Sequence, residues 1–172
     1  MTKEEIKNEL LLQHNNFIEV IKSIPVEKIH VSKNEKWSPA QQLNHIHKCV
    51  SPLRLAFTLP KFLLKMMYGK ANRQSRTYET IVQRYHEKLQ AGGKSTATFL
   101  PSVKNASVDL ALCKLKLLIV SLCEKVDTYS EGQLDTFILP HPLLGKLTLR
   151  EMLYFTIYHV QHHQKQIENS IR

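Results

Sequence analysis

Apolar residues recur along most of this chain at the three- and four-residue spacing of a helix face, broken by polar stretches rather than by strand-like alternation. Ile6, Leu10, Phe17, Ile21 and Ile24 fall close to one stripe, which predicts a helix over residues 2–24 closed by Pro25. Residues 26–36 are a polar connector. The second helix carries its own start signal. Ser38 is placed as its cap, Pro39 suits the first helical position, and Gln41 can close a capping box. Leu43, Ile46, Val50, Leu53 and Phe57 then form its apolar stripe, and Pro52, which lacks a backbone donor, is expected to kink it. Pro60 opens a short apolar run over residues 62–67, and residues 69–76 read as a loop.

A third helix is predicted over residues 78–90, stopping at Gly92 and Gly93, and a fourth over residues 108–127, where Leu112, Leu115, Ile119 and Leu122 give a broad apolar surface. The long polar connector between them, residues 94–106, is of a length that often edges a binding site. Residues 129–146 read as irregular. Thr148 and Glu151 then make a T-x-x-E capping box that opens the last helix. With no internal repeat, low-complexity tract or linker, the expected architecture is all-α. It is a four-helix bundle with additional short helices, forming a single domain over residues 1–172.

The formal charge of +9 raises the question of a nucleic-acid or membrane partner. Its densest stretch holds Lys61, Lys65, Lys70, Arg73 and Arg76 but no nucleic-acid motif, so a solvated basic face is expected and nucleic acid is not. Cys49, Cys113 and Cys123 are odd in number, sit in apolar helical contexts and lack zinc-knuckle spacing, which reads as buried free thiols in a reducing compartment. The opening MTKEEIKNEL is charged and amphipathic, unlike a signal peptide, and no apolar run approaches the ~18 residues of a membrane span. The cytoplasm is the expected location, without membrane association.

Histidines carry the chemistry. Of the nine, His159 and His163 stand four apart on the last helix, about 40° apart around its axis, so both can reach one ion. His163 falls inside the stripe of Leu149, Leu153, Thr156, Val160 and Ile167, with His159 on its margin. His162, about 100° from His163, is expected to face solvent. Imidazoles on a core face need partners for their nitrogens, and a divalent metal provides one. Position 160 is Val, so the general base of an H-E-x-x-H protease is missing. A third ligand must come from elsewhere. The second helix offers His45 and His47, and its stripe does not choose between them.

The segment Trp37-Ser38-Pro39-Ala40-Gln41-Gln42-Leu43-Asn44-His45 resembles the W-S-x(6)-H opening of the DinB-like superfamily, which includes the YfiT-type proteins. His141-Pro142-Leu143-Leu144-Gly145-Lys146-Leu147-Thr148 with Glu151 resembles its H-P-x-x-G-x-L-T-x-x-E segment, and His159, His163, Gln166 and Ile167 resemble its H-x-x-x-H-x-x-Q-I ending. The resemblance implies a four-helix bundle in which His45, His159 and His163 bind one metal ion, usually zinc or nickel, and it implies a homodimer in many members. It further implies a metal-dependent hydrolase, or a transferase using a low-molecular-weight thiol, acting on a small-molecule substrate. The competing expectations are a non-catalytic stress-response or binding module with a structural metal, and a vestigial site. His141 is a candidate outer donor or proton carrier, with a plain turn role before Pro142 as the simpler reading. Glu151 reads as a cap and Tyr158 as packing.

Overall fold

Helix starts are written into the chain by capping side chains. The hydroxyls of Thr2, Ser38, Thr77, Ser107 and Ser130 each accept a hydrogen bond from the amide three residues on. At Thr2, Ser38 and Ser130 the third residue returns the bond to the cap, which satisfies two otherwise orphaned amides at once. The computed structural model describes residues 1–32, 36–102 and 107–171. Within them run α1 (Lys3–Lys22), α2 (Pro39–Ala56), α3 (Lys61–Tyr68), α4 (Tyr78–Gln90), α5 (Val108–Asp127), α6 (Glu131–Thr136), β1 (Ile138–His141), β2 (Gly145–Thr148) and α7 (Leu149–Ile171). Parts of both predicted connectors, residues 33–35 and 103–106, lie outside the described residues.

α1, α2, α5 and α7 form the bundle, each packed on two of the others in the ring α1–α5–α2–α7. Cross-links between the helices give the directions. Arg150 at the start of α7 donates to the Met1 carbonyl, so α1 and α7 begin at the same end. Lys7 meets Asp127 at 2.6 Å, which brings the finish of α5 to that end, and Arg54 near the finish of α2 bonds Ser121 near the finish of α5. The pairs α1/α7 and α2/α5 are therefore parallel, and α2 faces α7 antiparallel. That last pairing positions the site, because it sets the early part of α2 against the later part of α7.

Sequence and structure differ in three places here. Residues 129–146 are not irregular. The Ser130–Gln133 capping box starts α6, and an antiparallel hairpin follows in which the buried Leu139 and Leu147 stand opposite one another. Four-residue strands are too short to show a period, and the turn is closed by Gly145 at φ 75°. Of the three cysteines only Cys123 is buried; Cys49 is half-buried and Cys113 is exposed on α5. The basic stretch is not simply a solvated face, since Lys61 donates to the Thr128 carbonyl and Gln133, and Arg73 and Arg76 pair with Glu151. No helix among the described residues is long and apolar enough to cross a membrane.

Glu151 is therefore more than a cap. Its carboxylate accepts from the Thr148 amide at 2.9 Å, as the T-x-x-E signal predicts, and also from both terminal nitrogens of Arg73 at 2.6 and 2.8 Å and the Arg76 amide at 2.7 Å. It is fully buried. Burial pushes its carboxyl pKa up, but the Arg73 pair and the two amides outweigh burial, so it stays below the usual carboxylate range. Glu151→Gln keeps the shape and removes the charge that two guanidinium groups face. It is expected to lower the unfolding free energy by about 3 kcal/mol, read by urea denaturation; an unchanged midpoint would show that the pair adds nothing to the cap.

Candidate metal centre

His45, in the second turn of α2, meets His159 and His163, one turn apart on the antiparallel α7. All three are buried, at 4, 6 and 5% exposure. His159 Nε2 lies 3.3 Å from His45 Nε2 and 3.1 Å from His163 Nε2. Of the two candidates on α2, His45 reaches the pair. His47 is half-buried and its Nδ1 lies 3.4 Å from the Ser51 hydroxyl. His162 is half-buried rather than in solvent, with its ring against Tyr85 and its Nε2 2.7 Å from the Gln166 amide.

The outer partners fix two of the three tautomers. His45 Nδ1 is 2.7 Å from the Phe99 carbonyl oxygen, which only accepts, so Nδ1 carries the proton and Nε2 is a bare lone pair. His163 Nδ1 is 2.9 Å from the Gln42 amide oxygen, and the Gln42 nitrogen donates to the Trp37 carbonyl at 3.1 Å, which orients that amide. His163 Nε2 is then also a bare lone pair. Both lone pairs point at His159 Nε2, which can offer at most one proton to one of them. At least one of the two buried lone pairs is left without a proton of its own to accept, an arrangement that a cation resolves. Burial first, and the neighbouring imidazoles next, hold the His159 and His163 pKa values well below the ordinary imidazole value. Burial also lowers His45, partly offset by the Phe99 bond. Neutral imidazole is the form a metal takes. The donor set fits a divalent ion, because four ligands at zinc–nitrogen distances stand about 3.3 Å apart in a tetrahedron.

Cys49 is the competitor for a place in this set. One ligand atom each from His45, Cys49 and His159 falls within a mutual 4.8 Å. The sulfur, however, is nearly equidistant from both ring nitrogens of His45, 3.6 Å from Nε2 and 3.9 Å from Nδ1. It lies against the side of that ring rather than out along the Nε2 lone pair. Burial pushes the Cys49 thiol up to about 12, which keeps it protonated. His163, by contrast, has its Nε2 3.1 Å from the His159 Nε2.

A cavity of about 270 Å³ opens beside His45 and His159. Apolar side chains such as Val50, Leu53, Leu139 and Phe155 dominate its wall, and Lys94, Ser95 and Thr96 of the connector after α4 contribute to it. The connector thus edges the site, as its length suggested. It is tied to α2 by the Phe99 carbonyl on His45, the Leu100 carbonyl on Lys48, and the Ser102 amide on Asn44. A larger hollow of about 840 Å³, near Glu9, Tyr78 and Arg150, touches none of the three imidazoles. His141 lines the smaller cavity. Its Nδ1 accepts from the Leu143 and Leu144 amides at 3.1 Å, so it does hold the turn, and burial lowers its pKa to about 4. Tyr158 bonds His86 Nε2 at 2.6 Å instead of lining the cavity.

The Phe99 carbonyl was out of reach of the sequence because it comes from a single 3-10 turn, Ala97–Phe99, inside the connector. Gln42 carried a weak signal, one turn before His45 on the same face of α2. Among solved structures the chain is similar to YfiT from Bacillus subtilis, described as a probable metal-dependent hydrolase with an unusual four-helix bundle topology. The TM-score is 0.65 at 15% identity, over 97% of this chain and 84% of that one. It is also similar to TT2238, a four-helix bundle protein, with a TM-score of 0.57 at 15% identity over 98% of this chain and 100% of the other. At such identities the likeness shows the fold alone. No curated protein matches the chain. The family model of the DinB superfamily matches residues 9–167, nearly the whole length, and the chain belongs to that superfamily.

Proposed function

We propose that this protein is a metal-dependent enzyme in which His45, His159 and His163 hold one divalent ion, zinc or nickel, at the wall of the apolar cavity. The observation that carries the reading is the convergence of three buried imidazole nitrogens, two of them on rings whose tautomers are set from outside. A bound ion there supplies Lewis acidity to whatever occupies its remaining position, be it water or a thiol. The chain's own residues do the rest. Phe99 and Gln42 orient the ligand rings, the apolar wall limits water, and His141, with its Nδ1 occupied by amides, carries its proton on Nε2 as a donor. Hydrolysis of a small molecule is the first reading, in line with what is said of YfiT, and transfer to a low-molecular-weight thiol is the second. The cavity beside His45 and His159 favours either over a purely structural ion, which needs no adjoining space.

Elemental analysis of untagged protein tests the site, with about one zinc or nickel ion per chain expected; none after reconstitution overturns it. Turnover of aryl esters, or of thiol–electrophile pairs, that chelation abolishes carries binding through to catalysis. Inertness in both assays with metal bound would assign a structural ion. Gln42→Leu removes the acceptor that holds the His163 tautomer and is expected to weaken metal binding about 10–100-fold in competition with a chelating indicator. Equal affinity would show that the Gln42 bond does not orient the ligand.

A further inference from the structure

His14 sits in the apolar stripe of α1, one turn after Leu10, and is 1% exposed. Its Nδ1 lies 2.8 Å from the Leu10 carbonyl oxygen, which only accepts, so the proton is on Nδ1. The opposite nitrogen, Nε2, is a bare lone pair, is buried, and has no hydrogen-bond partner among the described residues. Native structures rarely leave such an atom unpaired unless a water or a ligand completes it. His14 lines the same cavity as His45 and His159. With Nδ1 turned to its own helix, the lone pair lies on the opposite edge of the ring.

We propose that the cavity takes a small molecule with an apolar body and one neutral hydrogen-bond donor, a hydroxyl or N–H, which His14 Nε2 accepts, making His14 a specificity-determining residue. The proposal deepens the functional reading above and rests on it in taking this cavity as the substrate's. Val50, Leu53, Leu139 and Phe155 match the apolar body. An ether, ester or carboxylate oxygen in the donor's place would set lone pair against lone pair, a mismatch that a buried site discriminates strongly. The residue lies outside every motif that marks the metal ligands.

The test uses two neutral probes of nearly equal shape, benzyl alcohol and benzyl methyl ether, titrated into the metal-loaded protein with nitrogen-15 observation of the histidine rings. The alcohol is expected to bind at least about tenfold more tightly, with movement of the His14 Nε2 resonance. That preference should vanish in His14→Leu and return in His14→Gln, whose amide oxygen accepts, with metal content unchanged in both. Equal affinities in the wild type, no saturable binding of either probe, or a preference that survives in His14→Leu would overturn the proposal. Loss of metal in His14→Leu would overturn it too, by placing His14 in the metal site. Should the variants fail to fold, an unmoved wild-type His14 resonance at saturating alcohol is sufficient to reject it. A chain that binds no metal yet keeps the alcohol preference would sink the metal reading and leave the role of His14 standing.

Discussion

Replacing His159 with leucine is expected to take bound metal from about one ion per chain to near zero and to abolish the stabilisation that added zinc confers on the wild type. His159 is the shared neighbour of the site, since its Nε2 is the atom that both His45 and His163 approach, at 3.3 and 3.1 Å. Losing it removes both close nitrogen pairs at once, so its effect should exceed the roughly 10–100-fold expected for an outer partner such as Gln42. Leucine suits the position because His159 is 6% exposed and stacks on Phe155 at 4.8 Å, so that volume and apolar contact are kept while the lone pair goes. In the wild type, zinc at a hundred times its dissociation constant adds about 2.7 kcal/mol to the folded state. The readouts are elemental analysis after dialysis, and urea unfolding with and without zinc. Wild-type helicity with no zinc-dependent shift is the expected outcome. A variant that still binds one ion per chain would mean that His159 is not a ligand.

How far the sequence revealed this site depends on the kind of residue. Ser38, Gln41 and Pro39 announce α2 through local chemistry, and the same chemistry places Thr148 and Glu151 at the start of α7. Since periodicity puts His159 and His163 on one face, their meeting was legible. The choice of His45 over His47 was not, because it depends on how α2 is rotated against an antiparallel α7, and a single helix carries no record of its neighbour. The resemblance made that choice, and in the structure His45 is the one that lies beside His159. Contacts supplied by backbone carbonyls were invisible in principle: the Phe99 carbonyl on His45, at the end of a 3-10 turn, has no side-chain signature. The pairing of Glu151 with Arg73 was hidden because one carboxylate serves two purposes, and the local one explained it fully. His14 is a different case. It lies between Leu10 and Phe17 in the stripe of α1, and a histidine on a core face was the same signal that singled out His163.

The metal-free protein is expected to lose stability steeply as pH falls from about 6.5 towards about 4, and His14 makes the sign explicit. In the unfolded chain its imidazole takes up a proton around 6.5; in the fold, burial lowers that value to about 4. Between the two, the unfolded state binds more protons, so stability rises with pH and is lost on acidification. One such histidine contributes a slope of up to about 1.4 kcal/mol per pH unit, or about 3 kcal/mol across the window. His141 shifts the same way for the same reason, and burial also holds His159 and His163 well below the ordinary imidazole value. Below this window Glu151 adds to the loss, since its carboxylate is held below the usual range by Arg73 and two amides despite burial. Against a typical domain stability of about 5–15 kcal/mol, the histidine contributions are a large share of the total. Urea midpoints of chelator-treated protein between pH 7.5 and 4.5 would record it, and His14→Leu should show a shallower slope by about one proton. Zinc should oppose acid unfolding while the imidazoles remain neutral, because proton and ion compete for the same nitrogens. A flat profile from pH 6.5 to 4.5 in the apoprotein would contradict the burial of these rings and, with it, the reason they are available to a metal at all.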